Sequence, residues 1–351
     1  MEINETKLHE FLGTMVTEMG AAANGALIIL GDKLGLYKSL AANGPMTSEE
    51  LADTTQTTER YVREWLAAQA ASTFIEYDEK NNKFWMTPEQ TAVFADEESP
   101  VLMTGAFYGI SSMYHDEPKI EHAFRSGEGV AWGDHDSCLF CGTEKFFRPS
   151  YKANLIASWI PSLDGVEEKL KKGGKVADIG CGHGISTMVM AQAFPNSEFI
   201  GYDFHERSID HASSHAKELG IDNISFKVAT AKAFPESSYD FITFFDCLHD
   251  MGDPVGACSH VVNALKSDGT CMIVEPFAND SMKENLNPIG RAMYAFSTMI
   301  CTPSSISQEV GLGLGAQAGE KRLKEVAMSG GFRSFRRTSE TPFNLILEAR
   351  P

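Results

Sequence analysis

The stretch KVADIGCGHG, residues 175–184, decides the fold of this chain. It starts as a short apolar segment, 176–179, passes into a turn with three glycines, and ends where a helical pattern begins. A strand that leads into a helix through glycines brings backbone N–H groups and the positive helix end close to a ligand. Glycine is needed where a side chain would block that approach or where φ is positive. The stretch predicts a nucleotide-binding turn, although a plain strand-to-helix turn has the same pattern.

The strand that follows strengthens this interpretation, because it ends in Asp203. An acid about 20 residues beyond the glycines is where a ribose-binding carboxylate is expected. From residue 175 onward strands and helices alternate, which predicts an α/β fold with a mostly parallel, Rossmann-like sheet. The predicted strands are 176–179, 198–202, 224–228, 240–245 and 270–274, with helices at 185–194, 206–219 and 255–266, and two final antiparallel strands at 332–336 and 343–349.

Length and composition limit the class of protein. A chain of 351 residues suggests two domains, and 43% hydrophobic with 22% charged residues is ordinary for a globular protein. The formal net charge of −18 argues against a large nucleic-acid surface and against an anionic membrane as partner. Seven scattered cysteines suit a reducing cytoplasm. The acidic start, with Glu2 and Glu5, is unlike a secretory signal, and the apolar run 21–30 is too short to span a bilayer.

The first hundred residues have the order of a winged helix. Apolar residues from Leu8 to Met19 recur at helical spacing, and this N-terminal arm could pack on a partner subunit or cap its own domain. Thr47 and Glu50 form a capping box that opens a helix. A second helix and a predicted hairpin around residues 78–82 follow.

Charge opposes a DNA-binding role for this winged helix. Residues 1–100 contain 7 Lys and Arg against 17 Asp and Glu. The helix that would enter the groove offers only Arg60 and Arg63, offset by Glu59 and Glu64. Docking on phosphates with so few cations is unfavourable. We therefore expect the winged helix to serve dimerisation and to close an active site.

Residues 101–165 are interpreted as a connector between the N-terminal domain, 1–100, and the second domain, 166–351. A helical segment is expected near 102–113, followed by an irregular stretch, 127–142, that is either a functional lid or a surface excursion. The stretch contains His135, Cys138 and Cys141 at a spacing close to that of zinc ligands. No fourth ligand follows nearby, so two buried free cysteines are the preferred interpretation and no metal is expected.

Several motifs together resemble those of class I S-adenosylmethionine-dependent methyltransferases. The chain is similar in particular to bacterial members with an N-terminal winged helix, the Rv2258c-like group. The resemblance covers nearly the whole chain and rests on VADIGCGHG, FIGYDFH, YDFITFFDCLHDMGDP, LKSDGTCMIVEP and LGAQAGE. These motifs are specific for the cofactor fold, and they do not specify a substrate.

The resemblance implies S-adenosylmethionine as cofactor and gives roles to the residues around the glycine turn. The Asp178 carboxylate and the backbone of Gly180, Cys181 and Gly182 would lie against the methionine part of the cofactor. The post-strand segment with Asp246 and Cys247 would close over the same end.

The remaining cofactor contacts follow from the next two strands. Asp203 would accept both ribose hydroxyls, and Phe204 would cover one face of the adenine. Many family members have an acid for the adenine amine after the third strand, whereas this chain has Thr230 and Ala231 there. Thr230 or the backbone would have to make that contact.

Methyl transfer from a sulfonium depends largely on positioning and on exclusion of water. A general base is needed only for a protonated acceptor such as a phenol. The first candidate is His249, with Asp250 to orient it or to act itself, and His135 is the second. Equally open is a structural role for the His249–Asp250 pair. His183 is expected to shape the glycine turn.

The segment 291–302 follows the fifth strand, where the family commonly has a substrate lid. Tyr294, Phe296 and Met299 could line an apolar acceptor pocket or belong to the core. The second glycine cluster, 311–319, does not follow a clear strand and is not interpreted as a nucleotide loop.

Three hypotheses of function remain at this point. The leading one is a methyltransferase for a small, partly apolar acceptor, with O-methylation favoured by analogy to similar enzymes, acting as a homodimer. The second is an NAD(P)-dependent oxidoreductase, although the glycine spacing is G-x-G-x-G. The third is a cofactor-sensing winged-helix DNA-binding regulator, against which the acidic N-terminal domain argues.

Overall fold

The computed structural model describes residues 3–351, so Glu2 lies outside the described residues. The chain divides into two compact units. One comprises the residues up to 111 together with 141–149, and the other comprises 112–140 together with 150–351. The connector 101–165 is thus shared between the two units.

The first unit confirms the winged-helix order. Thr47 and Glu50 form the predicted capping box, with the Thr47 hydroxyl accepting the Glu50 N–H at 3.2 Å and the Glu50 carboxylate accepting the Thr47 N–H at 2.8 Å. The hairpin strands pair antiparallel as predicted. The elements are α1 Glu5–Lys33, α2 Leu36–Asn43, α3 Ser48–Thr55, α4 Glu59–Ala71, β1 Glu76–Asp78, β2 Lys83–Trp85 and α5 Pro88–Phe94.

The core of this unit surrounds Tyr37, which is fully buried. Its ring stacks on Phe94 at 4.9 Å between centroids and meets Trp65 edge-on at 5.0 Å. The Tyr37 hydroxyl donates to Gln69 at 2.7 Å, and Gln69 donates in turn to Asn24 at 2.7 Å. These buried polar groups are therefore satisfied within the core.

Helix α1 has a long exposed apolar face. Its buried residues, Asn24, Gly25, Ile28 and Gly31, all lie in its second half. The exposed apolar residues of the first half are Leu8, Phe11, Leu12, Met15, Val16 and Met19. The 29-residue helix is long and apolar enough to cross a membrane. The same length and composition are found in core helices of soluble proteins and in N-terminal signal sequences. The run 21–30 is thus only part of this longer helix, and the expectation drawn from its short length does not hold for the helix as a whole.

The connector is more helical than the sequence predicted. Helix α6 spans Thr104–Ser126, and α7 spans Cys138–Asn154. The prediction that 127–142 is irregular is therefore wrong for 138–142, which form the start of α7. Gly142 explains the error, because a Cβ there would lie 2.6 Å from the backbone nitrogen of Gly109. This glycine permits close packing of two helices and does not mark a loop.

The cysteines of this stretch also differ from the prediction. Cys138 is half-buried and Cys141 is exposed, so the interpretation of two buried thiols is wrong. No disulfide bond links any of the seven cysteines, all of which lie within residues 3–351. The exposure of Cys141 follows from its place on the outer face of α7.

The second unit contains a seven-stranded sheet that confirms the predicted α/β class. Its strands are β3 Lys175–Ile179, β4 Glu198–Asp203, β5 Ile224–Val228, β6 Tyr239–Phe245, β7 Leu265–Pro276, β8 Ser334–Glu340 and β9 Asn344–Arg350. The order is β5-β4-β3-β6-β7-β9-β8. The first five strands are parallel, and β9 pairs antiparallel with both β7 and β8, so the predicted antiparallel tail is confirmed.

Helices cover both faces of the parallel part of the sheet. Predicted helix bounds agree within two residues, whereas β7 begins five residues before its predicted start of 270. The helices are α8 Val166–Lys172, α9 Ile185–Ala193, α10 Glu206–Glu218, α11 Pro254–Ala264, α12 Met282–Asn285, α13 Pro288–Phe296, α14 Thr302–Ile306 and α15 Gly319–Ser329.

The strand order reverses between β3 and β6. In open α/β sheets, ligands bind in the crevice outside the carboxyl ends of the strands at such a reversal. The glycine turn follows β3, and the segment from Asp246 to Asp250 follows β6. The fold therefore brings these two motifs to one crevice.

Candidate active site

The glycine turn has the backbone that its sequence predicts. Gly180, Gly182 and Gly184 have φ of 69°, 53° and 76°, a region that favours glycine. A Cβ on Gly180 would lie 2.8 Å from the Cys247 sulfur, so the turn lies directly against the segment after β6. A Cβ on Gly182 would meet no atom within 4 Å, so this position faces open space.

Asp203 ends β4 beside the glycine turn. Its Oδ2 accepts the Gly182 N–H at 2.9 Å, and its Oδ1 accepts the His205 N–H at 2.8 Å. Burial raises the pKa of Asp203, and the two N–H donors partly offset that rise. Each carboxylate oxygen keeps a further lone pair for a ligand hydroxyl. The next side chain, Phe204, is 49% exposed and offers a free aromatic face.

Asp178 lies beneath the turn and is fully buried. Its Oδ2 accepts the hydroxyls of Ser186 and Thr187 at 2.7 and 2.6 Å, and its Oδ1 accepts Thr243 at 2.9 Å. Burial raises the pKa of Asp178 to about 6, against the effect of these hydroxyls. Asp178 thus ties the turn to the start of α9 and to β6.

The segment after β5 remains open to solvent. Thr230 is exposed and Ala231 is half-buried. The backbone N–H of Ala229 donates to the Asp203 carbonyl at 3.0 Å, which fixes this segment next to the end of β4. The adenine contact of Thr230 stays a prediction.

Asp246 opens the segment after β6 with a strained backbone, at φ 49°. Its Oδ2 accepts the Tyr151 hydroxyl at 2.8 Å, and its Oδ1 accepts the Asn344 amide at 3.0 Å. Burial and the neighbouring charge of Glu275 raise the pKa of Asp246 to about 8. Non-glycine residues with a left-handed backbone conformation cluster at functional sites, so the conformation of Asp246 supports a functional site at this segment.

His249 is buried among carboxylates. Its Nδ1 lies 2.5 Å from Oε2 of Glu275, and its Nε2 lies 3.2 Å from Oδ1 of Asp250. Burial lowers the pKa of His249, but the charges of Asp250 and Glu275 raise it well above the usual range. The His249 carbonyl accepts the N–H of Gly315 at 3.3 Å. The second glycine cluster therefore supports the histidine loop and does not follow a strand.

Glu275 was missed from the sequence. It is buried near the end of β7, and its Oε1 accepts the Leu248 N–H at 3.0 Å. An acid inside an otherwise apolar strand, CMIVEP, was the available signal. Cys301 was also missed: it is buried at the end of a π-helical turn, Ser297–Cys301, and its thiol interacts with His249 and Asp250.

His135 makes a separate buried pair. Its Nδ1 lies 2.9 Å from Oδ2 of Asp116, and its Nε2 lies 3.5 Å from the Ser304 hydroxyl. Asp116 also accepts the Asp136 N–H at 2.9 Å. His135 is thus held between the Asp116 carboxylate and the Ser304 hydroxyl.

The remaining predicted side chains are half-buried. Tyr294, Phe296 and Met299 are neither core nor fully exposed, as expected of residues along a pocket or a lid. His183 lies on the His211 ring with 4.2 Å between centroids, within the glycine turn that it was expected to shape.

Comparison with protein families gives two matches that follow one another along the chain. Residues 22–95 match the Rv2258c-like winged HTH domain. Residues 170–325 match a family described as methyltransferase domain, and this match contains the glycine turn, Asp203 and the His249 segment.

Two curated relatives each match about a third of the chain. The uncharacterized methyltransferase YcgJ of Bacillus subtilis is 32% identical over 121 residues, which is 33% of this chain and 47% of that protein. The ubiquinone biosynthesis O-methyltransferase of Leptothrix cholodnii is 34% identical over 126 residues, 34% of this chain and 51% of that protein. The chain thus spans about half the length of the curated relatives it matches.

Solved structures resemble the whole chain. Human N-acetylserotonin methyltransferase in complex with S-adenosylmethionine has a TM-score of 0.71 at 16% identity, over 100% of this chain and 99% of that one. An O-methyltransferase family protein from Burkholderia thailandensis has a TM-score of 0.68 at 15% identity, over 100% and 99%. At such identities the likeness concerns the fold. The chain thus combines a stretch that matches a methyltransferase domain with one that matches an Rv2258c-like winged HTH domain, and it shares its fold with solved methyltransferases.

Proposed function

We propose that this protein transfers a methyl group from S-adenosylmethionine to a small, partly apolar acceptor, and that the acceptor atom is oxygen. The observation that carries the proposal is the crevice at the strand-order reversal. One side of it has the glycine turn and Asp203, and the other has His249 held by Glu275.

The residues of the crevice fit the cofactor. Gly182 has open space where any other residue would have a side chain, and its neighbour Asp203 keeps lone pairs for the ribose hydroxyls. Phe204 offers its exposed ring to the adenine. The cofactor would supply an electrophilic methyl group on a sulfonium.

Asp178 acts in this proposal by holding the turn. Its carboxylate already accepts three hydroxyl hydrogen bonds and has no exposed surface. The backbone of Gly180 and Cys181, with Asp246 and Cys247 from the opposite strand end, remains to meet the methionine part. Thr230 and Ala231 would border the adenine.

His249 is the proposed general base. With Nδ1–H donated to Glu275, Nε2 is the ring nitrogen that accepts the proton of an acceptor hydroxyl. Glu275 fixes the tautomer and stabilises the imidazolium that forms, and Asp250 lies on the Nε2 side. The alternative is that the same contacts only hold the loop. His135, paired with Asp116, is the second candidate base.

The preference for oxygen rests on the similar proteins. Several relatives are described as ubiquinone biosynthesis O-methyltransferases, and a similar structure is that of a mitomycin 7-O-methyltransferase. The half-buried Tyr294, Phe296 and Met299 supply the apolar surface for a partly apolar acceptor.

We further propose a cytoplasmic homodimer that forms through the N-terminal domain, without nucleic acid or membrane as partner. On α4, Arg60 pairs with Glu64 and Arg63 with Glu59, both at 2.7 Å. Both cations of the would-be recognition helix are thus neutralised on the helix itself, which disfavours phosphate contacts. The oxidoreductase hypothesis lacks support, because the family matches are to methyltransferases.

A panel of phenolic, carboxylic and amine acceptors, with release of S-adenosylhomocysteine as readout, tests the proposal. We expect turnover with a phenol or another hydroxyl compound and none with amines. Turnover confined to amines would contradict O-methylation, and NAD-dependent oxidation without any methyl transfer would contradict the enzyme class.

A further inference from the structure

The proposed base and two side chains beside it direct possible metal ligands to one point. They are His249, Asp250 and Cys301, and their ligand atoms all lie within 4.8 Å of one another. His249 and Cys301 are buried, and Asp250 is half-buried. The proposed transfer uses His249 as a base and does not require the Cys301 thiol.

The distances suit a small metal ion. Ligands of a tetrahedral zinc ion at 2.0–2.3 Å lie roughly 3.3–3.8 Å apart. Nε2 of His249 and Oδ1 of Asp250 are 3.2 Å apart. Nε2 is the available ring nitrogen, because Nδ1 is engaged by Glu275.

The Asp250 carboxylate gives an independent reason to expect a cation. Its Oδ1 is buried, and among residues 3–351 no donor reaches it with hydrogen-bond geometry. A buried carboxylate oxygen without a donor is costly. A metal ion between Asp250, His249 and Cys301 would satisfy it.

Glu275 completes the arrangement from the other side of the imidazole. Metal-binding histidines usually donate their second ring N–H to a carboxylate, which fixes the ring and raises its basicity. Glu275 does this at 2.5 Å, and its other oxygen is fixed by the Leu248 N–H at 3.0 Å. The outer contact of a metal-binding histidine is therefore already present.

We propose that His249, Asp250 and Cys301 form a Zn²⁺ site and that Zn²⁺ bound there inhibits the protein. One imidazole, one carboxylate and one thiolate form a donor set that suits Zn²⁺ and excludes Mg²⁺ and Ca²⁺. A water completes four ligands, and binding releases to solvent the Cys301 thiol proton together with the Nε2 proton of any protonated His249 imidazole. The Nε2 lone pair then binds the metal and cannot accept a proton.

Inhibition rests on the proposed methyltransferase function, whereas metal binding rests only on the three ligands. Titration of the full-length chain with Co²⁺ tests the binding half, because a thiolate-to-cobalt charge-transfer band appears only when sulfur is a ligand. We expect one equivalent of Co²⁺ to produce the band in the wild type and Zn²⁺ to displace it.

Variants of the ligands make the test specific. Cys301→Ser should abolish the band, and Asp250→Asn should weaken Co²⁺ binding by at least about tenfold. Cys141→Ser is the control, because it removes an exposed thiol that is not one of the three ligands. An undiminished band in Cys301→Ser, or no band in the wild type, overturns the site. If Cys301→Ser does not fold, unchanged Co²⁺ affinity in Asp250→Asn overturns it.

Inhibition is measured separately with the acceptor found in the panel. Half-inhibition of Cys301→Ser should need at least about tenfold more Zn²⁺ than that of the wild type. Equal inhibition of both proteins overturns the inhibitory role. A protein that produces the cobalt band but transfers no methyl group would contradict the proposed function and leave the metal site supported.

Discussion

At His249 two carboxylates act on a single buried imidazole. Glu275 holds Nδ1 at 2.5 Å, and Asp250 lies 3.2 Å from Nε2. These contacts are compatible with two roles for His249: an oriented general base, or a structural link that holds the loop. Removal of the imidazole should lower turnover in the first case and cofactor affinity in the second.

His249→Ala should therefore lower turnover by about 100-fold while changing the affinity for S-adenosylhomocysteine little. Steady-state kinetics and calorimetry on the same preparation measure both quantities. His260→Ala is the matched control, because His260 is a part-buried histidine that bonds the Phe234 carbonyl. If His249→Ala instead binds the cofactor more weakly but turns over normally once the cofactor is bound, the role of His249 is structural.

The pH dependence of turnover follows from the raised pKa of His249. A protonated imidazole cannot accept a proton, so turnover should rise with pH, with a midpoint above the usual histidine value of about 6.5. Glu275→Gln removes a negative charge that favours the imidazolium, so the midpoint should move to lower pH and turnover should fall. A pH profile of each protein measures this, and an unmoved midpoint would exclude Glu275 as the group that sets the pKa.

At the scale of elements, the sequence predicted the strands and turns that are determined by a local residue pattern. The strands β3 to β6 are buried apolar runs and the glycine turn needs positive φ, so both could be recognised without the fold. Glu275 and Cys301 reach His249 only through packing of β7 and the π-helical turn. The acid within CMIVEP marks Glu275 as unusual, but contacts over 26 and 52 residues of sequence give no local sign of their partner.

The connector illustrates the same limit. Gly142 and Pro149 resemble loop residues, yet both lie inside α7. The need for close helix packing at Gly142 depends on a neighbour more than 30 residues away, Gly109. Asp178 was placed correctly in β3, but the hydroxyls of Ser186, Thr187 and Thr243 that engage it emerge only from the tertiary structure.

A glycine in the turn is required either because its φ is positive or because a ligand approaches its backbone closely, and a pair of substitutions separates these two reasons. Gly182 and Gly220 have φ of 53° and 66°, and a Cβ on either would meet no atom within 4 Å. Changing either to Ala should cost similar stability, on the order of 1 kcal/mol. Only Gly182→Ala should lose affinity for S-adenosylhomocysteine, as measured by calorimetry beside thermal unfolding. Equal affinities in the two variants would mean that no ligand approaches Gly182.

At the scale of the whole molecule, the first half of α1 exposes a row of apolar side chains. Phe11 is 62% exposed in the middle of that face. Contiguous exposed apolar surface marks an interaction site, and a second copy of the chain is the proposed partner.

Phe11→Glu should convert the dimer to a monomer, because it places a charge within the apolar contact. Light scattering coupled to size exclusion gives the mass directly. Tyr61→Glu, at a 79% exposed aromatic residue on α4, is the control and should stay dimeric. A monomeric wild type, or a dimeric Phe11→Glu protein, would contradict assembly through α1.

The central claim is that the glycine turn and Asp203 hold S-adenosylmethionine, and calorimetry with S-adenosylhomocysteine tests it most directly. The wild type should bind it and not NAD. Asp203→Asn, which keeps the side-chain shape, should bind it roughly 100-fold more weakly, because the ribose hydroxyls lose a charged acceptor. Asp210→Ala, an exposed acid on α10, should bind it normally. Binding of NAD alone, or unchanged affinity in Asp203→Asn, would contradict the account.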